Sequence, residues 1–171
     1  MTTMLFRIET FSRETFKDFD LFVVRNSKHI LKEAYNKKIH TGMTGFVDWM
    51  ILASVSDEEN PWKPKNVGVV FVYTGRDSNV VETCMEAVVT AYRHKGAGTL
   101  MMNAAKAIAK KEGAHKLACF TDIPLDPIHE KFLLKLGYSE DDSVDARAVE
   151  KAWSLALPKD DVTASGMAPP A

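Results

Sequence analysis

Residues 86–113, EAVVTAYRHKGAGTLMMNAAKAIAKKEG, pass from an apolar strand through a basic glycine loop into a helix without a break. The strand pattern covers 86–92, the loop 93–98 and the helix the remainder, which Gly113 is placed to end. Gly96 and Gly98 permit backbone conformations and close approaches that a side chain would forbid. The loop can therefore turn its N–H groups around an anion, of which phosphate is the natural example. The helix start adds unpaired first-turn N–H groups and the positive end of its dipole, about 0.3–1 kcal/mol per exposed interaction. Arg93, His94 and Lys95 strengthen the same field.

Spacing separates the phosphate loops that could be meant. A Walker A loop needs its lysine after the glycines, whereas Lys95 precedes them and Thr99 follows without one. A dinucleotide fingerprint needs a third glycine three residues after Gly98, where Met101 stands. The pattern left is Arg-x-x-Gly-x-Gly, from Arg93 to Gly98, behind an apolar strand and Tyr92; the plain alternative is a glycine turn closing an ordinary β-α unit. In this setting EAVVTAYRHKGAGTLMM resembles the acyl-coenzyme A loop of the GNAT superfamily of N-acyltransferases. The resemblance implies acetyl-CoA as acyl donor, its pyrophosphate on Arg93, His94, Lys95, Gly96, Ala97 and Gly98 with help from Thr99. It also implies a pantetheine arm on the backbone of Val88, Val89 and Thr90.

The composition sets bounds. With 171 residues, 46% hydrophobic and 26% charged, the chain suffices for one well-packed domain, and a net charge of −1 gives no global field for nucleic acid or membranes. Cys84 and Cys119 both sit in apolar runs and read as core thiols of a reducing compartment. No metal-ligand spacing occurs, and the start, MTTMLFRIETF, lacks the pattern of a signal peptide. The expected location is cytoplasmic, with no membrane span. A domain over 1–157 and a disordered tail over 158–171 are predicted.

Taken in order, 5–11 reads as a strand, with Ser12 able to cap the first helix. Phe16, Phe19 and Val23, then Ile30, Leu31, Ala34 and Tyr35, predict two short helices. Alternation predicts a strand over 47–55, a polar loop over 57–64 and a buried strand over 67–74. Trp49 and Trp62 read as core or loop anchors that could flank an acceptor pocket, and His29 and His40 as structural or solvent-facing. A fourth strand runs over 80–92, a fifth over 115–122, a helix over 128–136 ended by Gly137, and a last strand over 148–157.

Period-2 alternation puts Glu82, Cys84, Glu86 and Val88 on one face of the fourth strand and Thr83, Met85, Ala87 and Val89 on the other. Two carboxylates in an apolar central strand need a partner, solvent or a raised pKa. The family resemblance makes them general-base candidates. Glu82 is slightly preferred, since it lies eleven residues before Arg93 as in histone acetyltransferase-like members. The ending KLGY is similar to the family's helix close, but Leu133 occupies the position from which a tyrosine acid would protonate the leaving thiolate. Water is then the first substitute, His129 the second, and Tyr138 a core residue with a hydroxyl in reserve.

The expected fold is one GNAT-like α/β domain: a mixed, mostly antiparallel sheet of six or seven strands flanked by about four helices. The resemblance implies direct transfer of an acetyl or other acyl group from acyl-CoA to a primary amine, on a small molecule or a protein lysine, with no metal. A non-catalytic acyl-CoA sensor and a nucleic-acid base acyltransferase are the rival readings. Nucleic acid is disfavoured by net charge but kept open by Lys28, Lys32, Lys37 and Lys38, and a homodimer is compatible with either.

Overall fold

A computed structural model of the chain describes residues 5–74, 79–122, 126–144 and 150–158. The predicted tail falls outside them after Pro158, and so does the start of the predicted last strand. The strands are β1 (Arg7–Ser12), β2 (Trp49–Val55), β3 (Lys65–Thr74), β4 (Val80–Val88), β5 (Lys116–Asp122), β6 (Ser139–Glu140) and β7 (Glu150–Ala156). They form one sheet in the order β1-β2-β3-β4-β5-β7-β6, antiparallel except where β4 meets β5. Three α-helices cover it: α1 (Phe19–Tyr35), α2 (Ala97–Lys111) and α3 (Pro127–Lys135). The expected α/β sheet is present, and among the described residues three α-helices and two short 3-10 turns flank it, close to the four helices expected.

The sheet separates two apolar layers. Ile51, Val70, Val72, Val81, Leu117, Cys119 and Trp153 pack with α2, Leu133 and Tyr138 on one face. Met50, Leu52, Val69 and Phe71 pack with α1 on the other. Trp153 is fully buried, and its indole N–H donates to Thr121 Oγ1 at 2.9 Å, so the large ring leaves no orphan donor.

The two helices expected after β1 are one. Phe19, Val23, Ser27, Ile30 and Leu31 make a continuous stripe at helical spacing, and the apparent break is Ser27. That serine is fully buried because its hydroxyl donates to the Val23 carbonyl at 2.6 Å, which removes its polar cost inside the helix. Ser12 does not cap this helix: its hydroxyl accepts from Glu14 N–H at 3.2 Å, and α1 starts after Asp18 with no side-chain cap.

The entry to α1 is locked by Arg13 and Asp20. The guanidinium donates to both carboxylate oxygens, at 3.1 and 2.8 Å, and to the carbonyls of Val47 and Thr44, while Thr44 Oγ1 donates to Asp20 at 2.6 Å. The hydrogen bond from Arg13, then that from Thr44, hold the Asp20 carboxyl down at about 2, from an ordinary 3.8. A depressed carboxyl stabilises the fold above its unfolded pKa and loses that contribution as it protonates. Both side chains are about one-third exposed, so solvent screening reduces the contribution to on the order of 1 kcal/mol. Asp20→Asn should therefore lower stability by about that amount at pH 7 in urea unfolding. The gap to wild type should close as pH falls from 3.8 to about 2.

Candidate active site

β4 and β5 pair only from Val80↔Lys116 to Thr83↔Cys119. Beyond that point β4 stays with β3 and β5 stays with β7, so a gap opens between the two parallel strands in the middle of the sheet. A bulge in β4 sits at the mouth of this gap. The β3–β4 register slips between Val69 and Phe71, and Met85 adopts φ 55°. A left-handed non-glycine residue costs about 1–3 kcal/mol and persists only where its surroundings hold it there.

The bulge corrects the expected facing of β4. Thr83 and Glu86 would point to opposite sides of a regular strand, yet the Thr83 hydroxyl donates to Glu86 Oε1 at 2.6 Å. Glu86 and Val88 thus join the face of Val81 and Thr83, whereas Glu82 and Cys84 stay on the α1 face. Glu86 is thereby held beside Thr83, the last β4 residue paired with β5, where the gap begins. Glu82 stands opposite Tyr73 on β3. Burial first, and the Glu82 carboxylate second, push the Tyr73 hydroxyl well above its usual range.

At the far end of β4 the glycine loop comes back to the same gap. His94 and Gly96 both take left-handed conformations, φ 61° and 98°, the kind of alternation from which anion-binding concavities are built. Gly96 immediately precedes α2, and no side chain caps the helix, so the N–H groups of Ala97, Gly98 and Thr99 are open to a ligand. Arg93, His94, Lys95 and Thr99 are exposed around them. Gly98 has a second reason to be glycine: a Cβ there would sit 3.3 Å from the Phe132 ring of α3.

The three backbone positions expected to hold a pantetheine arm divide. Val89 N–H bonds Val67 at 2.8 Å, and Thr90 N–H is taken by the Glu33 carboxylate at 3.0 and 3.2 Å. Antiparallel alternation then turns the N–H and carbonyl of Val88 away from β3, toward the gap. The Val88 carbonyl accepts from Arg93 Nε at 2.8 Å, which ties the loop to the strand end and leaves the Val88 N–H facing the gap. Tyr35, at the end of α1, donates to the Glu86 carbonyl and closes the same edge.

Tyr138 joins the core on the α2 face of the sheet. Gly137, at φ 94°, ends α3, and the Tyr138 N–H returns to the Leu133 carbonyl at 3.0 Å, which folds the ring under the helix. Tyr138 is 3% exposed, and its hydroxyl has no hydrogen-bond partner among the described residues. Burial, then the charges of Cys119 and Glu86, hold that hydroxyl firmly protonated. Leu133 is buried core, and His129 lies half-buried one turn earlier on its face of α3. Trp49 packs against the α2-side core and Trp62 is 81% exposed. Among the described residues no group of three or more His, Cys, Asp or Glu could hold a metal ion.

Residues 17–138 match the model of the acetyltransferase (GNAT) family. The structure resembles the ribosomal-protein-S18-alanine N-acetyltransferase of Escherichia coli, with TM-score 0.62, 13% identity, and 88% of this chain and 94% of that one covered. It also resembles an IAA acetyltransferase from Bacillus cereus, with TM-score 0.61, 16% identity, and 90% and 100% coverage. A Bacillus anthracis protein described as a streptothricin acetyltransferase, crystallised with acetyl coenzyme A, gives TM-score 0.55 at 16% identity over 72% of this chain and 70% of that one. At such identities these likenesses speak to the fold. A search of curated protein sequences finds no match.

Proposed function

The chain belongs to the GNAT acetyltransferase family, and from that membership and the gap between β4 and β5 we propose that it acetylates a primary amine by direct transfer from acetyl-CoA. The observation that carries this reading is the gap, with an uncapped helix start at one end and ionisable groups at its apex. The pyrophosphate rests on the N–H groups of 96–99, and the pantetheine arm follows the Val88 edge toward Glu86.

The amine arrives from the α1 face. Glu86, held by Thr83 in the gap, takes the proton from the amine nitrogen, which attacks the thioester carbonyl carbon. As the carbon–sulfur bond breaks, the Tyr138 hydroxyl gives its proton to the sulfur, the second proton lost by the nitrogen restores the phenol, and Glu86 releases its proton to water. This assignment differs from the sequence expectation on two counts. Glu86 is favoured over Glu82 because it sits with Thr83 where β4 and β5 part, while Glu82 stands opposite Tyr73 on the α1 face. Tyr138 is favoured over water and His129 because its buried hydroxyl is unpartnered.

The test joins binding to turnover. Wild type should bind acetyl-CoA calorimetrically and release free CoA thiol only when an amine is added. Gly96→Val forces a branched side chain into φ 98°, at a cost of about 1–3 kcal/mol. It should weaken acetyl-CoA at least tenfold with the circular dichroism spectrum retained. Unchanged affinity in the folded variant would remove the loop from the donor site. Tight binding with no acetylation of any amine would make the protein a binding module instead.

A further inference from the structure

The last turn of α1 carries two side chains that leave the helix for the far end of β4. The Glu33 carboxylate accepts the Thr90 N–H through both oxygens, at 3.0 and 3.2 Å, and the Tyr35 hydroxyl donates to the Glu86 carbonyl. Neither bond serves the helix itself. Glu33 is exposed and close to the helix end, the negative pole of the dipole, where a carboxylate is disfavoured. Tyr35 is 51% exposed, and a hydroxyl so placed is satisfied by water without any protein partner.

Both bonds fall where β4 departs from a regular strand. The β3–β4 register passes from Val69↔Ala87 to Phe71↔Cys84, skipping Met85 and Glu86 in the bulge, and Tyr35 supplies a donor to the Glu86 carbonyl there. After Val88 the strand gives way to a 3-10 turn, Thr90–Tyr92, which has no side-chain cap from Val89 before it. Glu33 satisfies the first N–H of that turn from a position 57 residues away in sequence. From this anchor the turn runs straight into the glycine loop. Tyr92 N–H bonds the Val89 carbonyl at 2.8 Å, Arg93 N–H the Thr90 carbonyl at 3.3 Å, and Arg93 Nε the Val88 carbonyl at 2.8 Å.

We propose that Glu33 and Tyr35 are positioning residues for acyl transfer: the end of α1 braces 86–90 at both ends, and so holds Glu86 and the Val88 edge in fixed relation to the loop that grips the donor. This deepens the acetyltransferase reading and rests on it. Exposed as they are, the two side chains contribute little to stability, whereas the stretch they brace is the one along which the thioester is aligned with its proton acceptor.

The experiment compares Glu33→Ala, Glu33→Gln and Tyr35→Phe with wild type. Turnover is read with a panel of amino acids, polyamines and amino sugars, acetyl-CoA affinity by calorimetry, stability by urea unfolding and exchange of the Thr90 amide by NMR. Glu33→Ala should lower kcat about ten- to a hundredfold, the scale on which a misplacement of about 1 Å acts, while acetyl-CoA affinity stays within about threefold and the urea midpoint is unmoved. Glu33→Gln, whose amide oxygen accepts the same N–H, should recover most of that loss, and Tyr35→Phe should show a loss confined to kcat in the same way. The Thr90 amide should exchange slowly in wild type and Glu33→Gln and faster in Glu33→Ala. Full turnover in Glu33→Ala, a loss that Glu33→Gln shares in full, or a loss matched by a lower urea midpoint would overturn the inference while the acetyltransferase reading stands. A Thr90 amide that exchanges equally fast in all of them would overturn it too. If wild type binds acetyl-CoA and acetylates no amine of the panel, the reading itself fails and the inference falls with it.

Discussion

Glu86→Gln is expected to lower kcat by about 10²–10⁴ while leaving acetyl-CoA affinity within a few-fold of wild type. The amide still accepts the Thr83 hydroxyl, so the side chain keeps its place at the gap, but it cannot take a proton at neutral pH. Raising the pH should restore part of the rate, because a growing fraction of the amine then arrives already neutral. Glu82→Gln should act differently. Glu82 stands opposite Tyr73 on the α1 face, the side from which the amine is proposed to arrive, so its loss should raise the acceptor KM more than it lowers kcat. Steady-state kinetics of both variants over pH 6–9, a span chosen to cross the neutral range, separate the roles. Full turnover in Glu86→Gln with loss in Glu82→Gln would exchange them, and full turnover in both would assign the proton to solvent.

Tyr138→Phe should lower kcat by a similar factor, about 10²–10⁴, and should not destabilise the protein. The hydroxyl it removes is buried and unpaired, a condition that costs about 1–3 kcal/mol. The variant should therefore unfold at equal or higher urea concentration than wild type while turning over far more slowly. A residue that only packed the core would show neither the rate loss nor this divergence. Because burial holds the phenol protonated, the wild-type pH–rate profile should have no alkaline limb arising from Tyr138 in the ordinary tyrosine range. A normal rate in Tyr138→Phe beside a large loss in His129→Ala would move the acid to α3.

The loop was legible in the sequence because its chemistry is written in residue types at fixed separations. Gly96 had to be glycine for its positive φ, and both Gly96 and Gly98 could be read before any coordinates. The facing of β4 was not legible. Period-2 reasoning assumes an uninterrupted strand, and Met85 does not advertise a left-handed backbone as glycine or asparagine would, so every side chain beyond it was placed on the wrong face. Ser27 hid the continuity of α1 in the same way, a polar residue whose partner is its own helix backbone. Gly137 announced the end of α3, but the direction in which it sends Tyr138 is a tertiary fact. The backbone bonds that withdraw Val89 and Thr90 from the gap come from Val67 and Glu33, far away in sequence.

The bulge at Met85 also bears on how such a chain can diverge. Glu82 stays on the α1 face and Glu86 turns to the Thr83 side, so the bulge presents two carboxylates of one strand to opposite faces of the sheet. Under the proposed function, substitutions around Glu82 can alter acceptor recognition without disturbing the loop of 93–98. One strained residue in the middle of a central strand then makes the two halves of the site heritable as independent traits.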